Sequence, residues 1–184
     1  LDALRFMNSQ AARLKHRIRM RIQESGLLGV ADGIIAHNPI MKSVLVDKGV
    51  DADKIISLGI FDYLIPDFQE KSGQTKDQPI IVAGNLAKEK AGYLYSIPEE
   101  PAYNLYGVGF DESRALTNET YFGSFLPDEL PSALEGGFGL VWGNSENPED
   151  ERDYYKENIS YKLSTYLSAG LPVVVPDYLS NADY

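Results

Sequence analysis

Cysteine is missing from all 184 positions, which removes disulfides, thiolate nucleophiles and cysteine zinc sites at once and suits a cytoplasmic protein. Basic residues are outnumbered: 17 Lys and Arg stand against 27 Asp and Glu, a formal net charge of −10. A general nucleic-acid binder needs a basic surface to neutralise phosphates, so that class is excluded. With only two histidines, no Ser/His/Asp relay can be built and no metal cage is evident. No apolar run approaches the ~20 residues of a membrane helix, and the chain opens on Leu1 without a basic-then-apolar leader. Hydrophobic residues still make up 43%, enough for a packed core in one ordinary domain or two partial ones. The start without Met and the end just after an apolar run read as a fragment.

What is present concentrates in residues 139–176, GLVWGNSENPEDERDYYKENISYKLSTYLSAGLPVVVP. The stretch parses as strand, polar loop, helix, glycine turn and strand. Residues 139–142 suit a buried strand. From Tyr161, the residues Leu163, Tyr166 and Leu167 fall at helical spacing before Gly170 stops the turn, and 171–175 read as the next strand. In a parallel sheet such a unit brings the helix N-terminus to the carboxyl end of the first strand, where backbone N–H groups and the helix dipole favour an anion. Lys162, in the first turn, adds an ammonium there. The acids Glu146, Glu149, Asp150, Glu151 and Asp153 read as a solvated loop, as charge runs usually do.

In chain order, Leu4, Met7, Ala11, Leu14, Ile18 and Ile22 describe an amphipathic helix over residues 1–25 whose other faces are basic. Contact with an anionic membrane surface is one reading of it, and a solvated outer face on a helix packed to its sheet is the weightier one. A short strand at 34–36 leads into a helix with Asn38 as N-cap and Pro39 in first position, closed by Gly49. His37 ends that strand, where open α/β sheets bind ligands, and is either a cleft residue or a hydrogen-bonded turn residue. Asp51, Ala52 and Asp53 read as a turn rather than a metal site. Residues 68–78 are polar and read as a linker between residues 1–67, the end of one Rossmann-like domain, and 79–184, a second one cut before its end. After the strand at 79–83, Gly84 permits close approach of a ligand, Asn85 offers donors and an acceptor, and Lys88 offers charge. Gly107 and Gly109 lack the third glycine and the helix of a dinucleotide fingerprint. A further helix starts near residues 127–131.

The phrase KLSTYLSAGLP, from Lys162 to Pro172, resembles the signature of the nucleotide-sugar half of GT-B glycosyltransferases. Three further phrases fit in the same order: IIAHNPIMKSVLVDKG with IISLGIFDYL, then IIVAGNLAKEKAGYL, then LYGVGFDES followed by YFGSFLPDELPSALEGGFGLVW. Together they are similar to a bacterial family holding accessory glucosyltransferases of serine-rich adhesins and β-1,6-galactofuranosyltransferases. The resemblance spans nearly the whole chain. It implies an α/β fold with the Rossmann-like parallel sheet of a GT-B enzyme, and transfer of glucose or galactofuranose from a UDP-sugar to a glycan or glycoprotein. No metal and no cofactor beyond the donor substrate are implied.

On that resemblance Gly84, Asn85 and Lys88 become a donor-side loop, and Ser124 and Phe125 flank the uracil, Phe125 being core on the other reading. Asn158, Ser160, Tyr161 and Thr165 would position ribose and phosphates beside Lys162. Two departures stand out. Gly143 and Asn144 occupy the place where the family usually has an acid, leaving Asn144 to hydrogen-bond the hexose, and Thr165 stands where many GT-B enzymes carry a ribose-gripping Glu. The acceptor and its catalytic base belong mostly to the N-terminal domain, so these residues alone are expected to bind nucleotide without turnover. The competing reading is a GT-B-like scaffold that binds a partner glycosyltransferase, and homo-oligomerisation is open on either.

Overall fold

The computed structural model describes residues 14, 15, 18, 26–63, 65, 73–143 and 148–180, the side chains of 148–151 and 153 excepted. Most of the helix expected over 1–25 and residues 68–72 of the expected linker lie outside these. Leu14 and Ile18, two members of the apolar stripe, are helical and exposed. The chain divides into two compact units between Gly59 and Ile60.

In the first unit, β1 (Ile34–Ala36) pairs in parallel with β2 (Ile55–Ser57), and α1 (Pro39–Asp47) connects them. The cap is as the sequence reads it: Asn38 Oδ1 accepts from Met41 N at 2.8 Å, with Pro39 at the head of the helix. At the other end Gly49, at φ 90°, lets its N–H reach Val46 O and that of Val50 reach Leu45 O, which satisfies two terminal carbonyls. Ala36, Met41, Leu45 and Ile55 form the core. Asp51 accepts from Asp53 N at 3.0 Å and caps the short 3-10 turn Ala52–Lys54, as expected of a turn.

The second unit is built on five parallel strands: β3 (Ile80–Asn85), β4 (Tyr103–Val108), β5 (Glu119–Tyr121), β6 (Phe138–Leu140) and β7 (Val173–Val174), in the spatial order β5-β4-β3-β6-β7. Counted from its own first strand this is 3-2-1-4-5, the order of a Rossmann-like doubly wound sheet. The α/β class and parallel sheet are therefore as expected. Buried side chains alternate between the two faces. Ile81 and Ala83 join Tyr106, Leu134, Val141, Leu163, Tyr166 and Leu171 on one, while Val82 joins Leu86, Leu94 and Leu105 on the other. Each fully buried aliphatic side chain here contributes about 1.5–3 kcal/mol.

The helices are α2 (Lys88–Ala91), α3 (Leu130–Ala133), α4 (Pro148–Glu157) and α5 (Tyr161–Ser168). Some boundaries depart from expectation. β6 begins one residue earlier and ends before Trp142, β7 keeps only two residues, and Leu167 faces outward while Leu163 and Tyr166 are buried. Of the acidic run, Glu149, Asp150, Glu151 and Asp153 are no loop, because α4 takes them up from Pro148, a residue that suits the first helical position, while Glu146 lies outside the described residues. Residues at the end of the expected linker are also part of this unit. Thr75 N donates to Gln78 Oε1, and a Cβ on Gly137 would lie 2.3 Å from Thr75 O, so the turn rests directly on the backbone before β6.

Candidate functional site

The strand order creates one special place. β3 and β6 are neighbours, yet β3 leads into α2 on one face and β6 leads towards α5 on the other, since Ala91 of α2 and Leu163 of α5 belong to opposite cores. This is a topological switch point, where ligands bind outside the carboxyl ends of the strands. The two strands pair only at Ile80↔Phe138 and Ile81↔Gly139, whereas β3 stays in register with β4 through Asn85↔Val108. Tyr166 fills the gap. Its buried hydroxyl accepts from Ala83 N at 2.8 Å and donates to Leu140 O at 3.2 Å, replacing a missing rung of the ladder. Its ring fits because residue 139 is glycine: a Cβ there would lie 2.2 Å from Tyr166 Cγ. Burial pushes the Tyr166 phenol well above its ordinary value.

Lys162 lies across this switch point. Its Nζ donates to Trp142 O at 3.1 Å, just beyond β6, and its Cε would be 3.3 Å from a Cβ on Gly84, in the penultimate position of β3. Gly84 is held from the other side too. A Cβ on Gly107 of β4 would fall 1.7 Å from Gly84 O, so both positions require glycine, at φ 133° and 141°. The glycines at 107 and 109 thus serve close packing on β3 and Ala87, in keeping with their failure to make a dinucleotide fingerprint.

The start of α5 is organised by buried polar groups. Ser160 is its N-cap residue and makes no side-chain capping bond, so the positive end of the helix dipole faces the strand ends without a hydroxyl laid over it. Asn158, between α4 and α5, is buried and donates from its amide to Tyr154 O at 2.9 Å, which closes the end of α4. Thr165 is buried and donates to Tyr161 O at 3.1 Å. Both bonds are local, to the carbonyl four residues earlier. Tyr161 is 56% exposed, the most accessible member of the group.

Two residues that the sequence reading set in the preceding domain meet Tyr161. Its ring lies 6.1 Å from Phe61 and 5.7 Å from Tyr63, both tilted. Tyr63 also donates from its hydroxyl to Pro127 O, in the loop after β5. Burial, and then the hydrogen bond with Tyr161, push the Tyr63 phenol up to about 12, with Thr165 acting the other way. Tyr63 therefore joins the Pro127 loop to the head of α5. Aromatic spacing in FDYL was the available signal, but nothing local says which helix it meets.

The remaining candidates spread along the same edge. Asn85 Oδ1 accepts from Ala87 N at 3.0 Å and turns the chain out of β3, leaving its amide NH2 for any outside contact. Lys88 is exposed at the head of α2. Ser124 is exposed, and Phe125 is neither core nor fully free: it is 39% exposed with its ring 5.9 Å from Tyr106, beside the parallel stack of Phe122 on Tyr106 at 4.8 Å. Asn144 lies outside the described residues. His37 belongs to the first unit, where its backbone N–H points to Met41 Sδ at 3.3 Å and its carbonyl accepts from Gly59 N at 2.9 Å. Among the described residues no three of His, Asp and Glu gather as a metal site, and no helix is long and apolar enough to cross a membrane.

The family model described as Glucosyltransferase 3-like, C-terminal domain, matches residues 80–184, and its N-terminal counterpart matches residues 2–60. Glucosyltransferase 3 of Streptococcus gordonii is 35% identical over 158 residues, 83% of this chain and 45% of that protein. Beta-1,6-galactofuranosyltransferase WbbI of Escherichia coli (strain K12) is 36% identical over 169 residues, 88% of this chain and 49% of that protein. The chain thus spans about half the length of the curated relatives it matches. Among solved structures, the pneumococcal O-GlcNAc transferase GtfA in complex with UDP and GlcNAc aligns with a TM-score of 0.48 at 20% identity, over 80% of this chain and 30% of that one. With its C-terminal domain model matched from Ile80 to the last residue, the chain belongs to the Glucosyltransferase 3-like family.

Proposed function

We propose that this chain supplies the donor-binding part of a metal-independent GT-B glycosyltransferase, which moves glucose or galactofuranose from a UDP-sugar to a hydroxyl of a glycan or glycoprotein. The observation that carries the reading is the position of Lys162, whose ammonium lies at the switch point between Trp142 O and Gly84. Breaking the anomeric bond leaves negative charge on the diphosphate, so the first requirement is fixed positive potential at the leaving group. Lys162 and the uncapped head of α5 meet it together, with Lys88 adding charge from α2. Gly84 lets the diphosphate approach the backbone, the Asn85 amide faces it, and Ser160 and Tyr161 border it. Ser124 and Phe125 take the uracil. In this reading Asn158 and Thr165 help to position the ribose and phosphates beside Lys162. The acceptor hydroxyl and its base are assigned to the N-terminal domain, with residues 60–63 counted with the donor side. The names of the relatives, a glucosyltransferase and a galactofuranosyltransferase, support the choice of hexoses.

Calorimetric titration of the 184-residue chain with UDP tests the reading. A hydrogen bond to a charged group is worth about 1.5–3 kcal/mol, so Lys162→Ala should weaken UDP binding by roughly 10- to 100-fold. A folded chain that takes up no UDP, or one indifferent to the substitution, refutes the assignment.

A further inference from the structure

Trp142 is the single tryptophan of the chain, and it sits two residues beyond the end of β6 at the switch point. It is 42% exposed, and among the described residues its indole stacks on no other ring. Its own carbonyl accepts the Lys162 ammonium at 3.1 Å. A large aromatic side chain partly open to solvent beside a buried sheet leaves apolar surface in water that burial would remove. That burial is gained when a ligand covers the ring.

We propose that the Trp142 indole is the platform for the donor's hexose ring. The inference rests on the donor-site reading given above and adds a residue to it. Its geometry follows from the sheet. Phe125 lies against Tyr106 of β4, whereas Trp142 follows β6, and β3 runs between those strands. Two strand spacings, about 10 Å, therefore separate the two aromatic positions, with Lys162 and Gly84 between them. A nucleotide-sugar has the same order: planar base, diphosphate, then hexose. With the base on the Phe125 side and the diphosphate on Lys162, the hexose falls to Trp142. The apolar C–H face of a pyranose or furanose ring covers an indole well, while the sugar's hydroxyls stay outward for polar partners. Trp142 is thus a specificity-determining residue for the sugar and has no part in binding the nucleotide.

Because the chain has one tryptophan, fluorescence excited selectively at that residue reads the contact directly. UDP, UDP-glucose and UDP-galactofuranose are titrated separately into the 184-residue chain. At least one UDP-sugar should shift the emission well beyond any change with UDP alone, and should bind roughly tenfold more tightly than UDP. In Trp142→Ala, read by calorimetry, that ratio should fall towards one, and Trp142→Phe should restore part of it. If UDP binds in a Lys162-dependent manner but both UDP-sugars give the emission and affinity of UDP, the Trp142 assignment is overturned and the donor site survives. If UDP itself does not bind, both fall. A ratio unaltered in a folded Trp142→Ala chain also overturns the assignment.

Discussion

Deleting one oxygen atom, by Tyr166→Phe, should unlock the switch point. The ring can stay where it is, over Gly139, but Ala83 N and Leu140 O lose the hydroxyl that now serves both. Each buried backbone group left without a partner costs about 1–3 kcal/mol, so the pair should cost about 2–6 kcal/mol. That is a large share of the ~5–15 kcal/mol that holds a typical domain folded. With a urea slope of about 2 kcal/mol per molar, the unfolding midpoint should drop by roughly 1–3 M. Trp142 fluorescence follows this unit's unfolding, and exchange of the Ala83 amide, read by NMR, should accelerate in step. The alkaline limb offers an internal control. The buried Tyr166 phenol keeps its proton in the fold, whereas an unfolded tyrosine ionises near pH 10. The native state then binds the extra proton, so stability is intact below about pH 10 and falls as pH rises beyond it, and the variant should lose its share of that slope. A midpoint within about 0.2 M of the parent, with Ala83 exchange unchanged, would refute the idea that the hydroxyl replaces a rung of the ladder.

Three other substitutions probe the same unit. Gly107→Ala places a Cβ 1.7 Å from Gly84 O at φ 141°, combining overpacking with backbone strain, and should cost about 2–6 kcal/mol. Gly73→Ala, at φ 84° with nothing within 4 Å, should cost only the strain, about 1–2 kcal/mol; equal thermal shifts for the two would contradict the close-approach argument. Glu119→Gln should stabilise the chain at neutral pH. Burial raises that carboxyl's pKa, Oε1 has no hydrogen-bond partner, and Oε2 accepts from Leu116 N. A carboxyl so raised binds its proton more tightly in the fold, so its contribution is lost as pH climbs through the folded value, and the glutamine variant's advantage should vanish below about pH 4. Melting both proteins across that range decides it.

Much was legible along the chain because its signals are local. Asn38 and Pro39 announce α1, the apolar run at 80–83 announces β3, and the Lys162 to Pro172 phrase announces both α5 and the family. Where local signals were thin, the reading slipped. α4 was taken for a loop because its sequence is mostly charged and only a tyrosine pair offers apolar surface, of which Tyr155 packs into the core. The placement of residues 60–63 slipped for a different reason: a short aromatic segment fits either neighbour, and only packing on Tyr161 chooses.

Residue order alone determined where α1, β3 and α5 form, that a lysine opens α5, and which family the chain joins, since periodicity, caps and contiguous phrases are properties of neighbours. Tertiary structure decided that β3 lies beside β6, that Lys162 therefore meets Gly84 and Trp142, and that Tyr166 bridges to Ala83 from 83 positions away. Those relations come from competition among all possible strand pairings for one buried sheet, and no stretch of sequence carries that competition by itself.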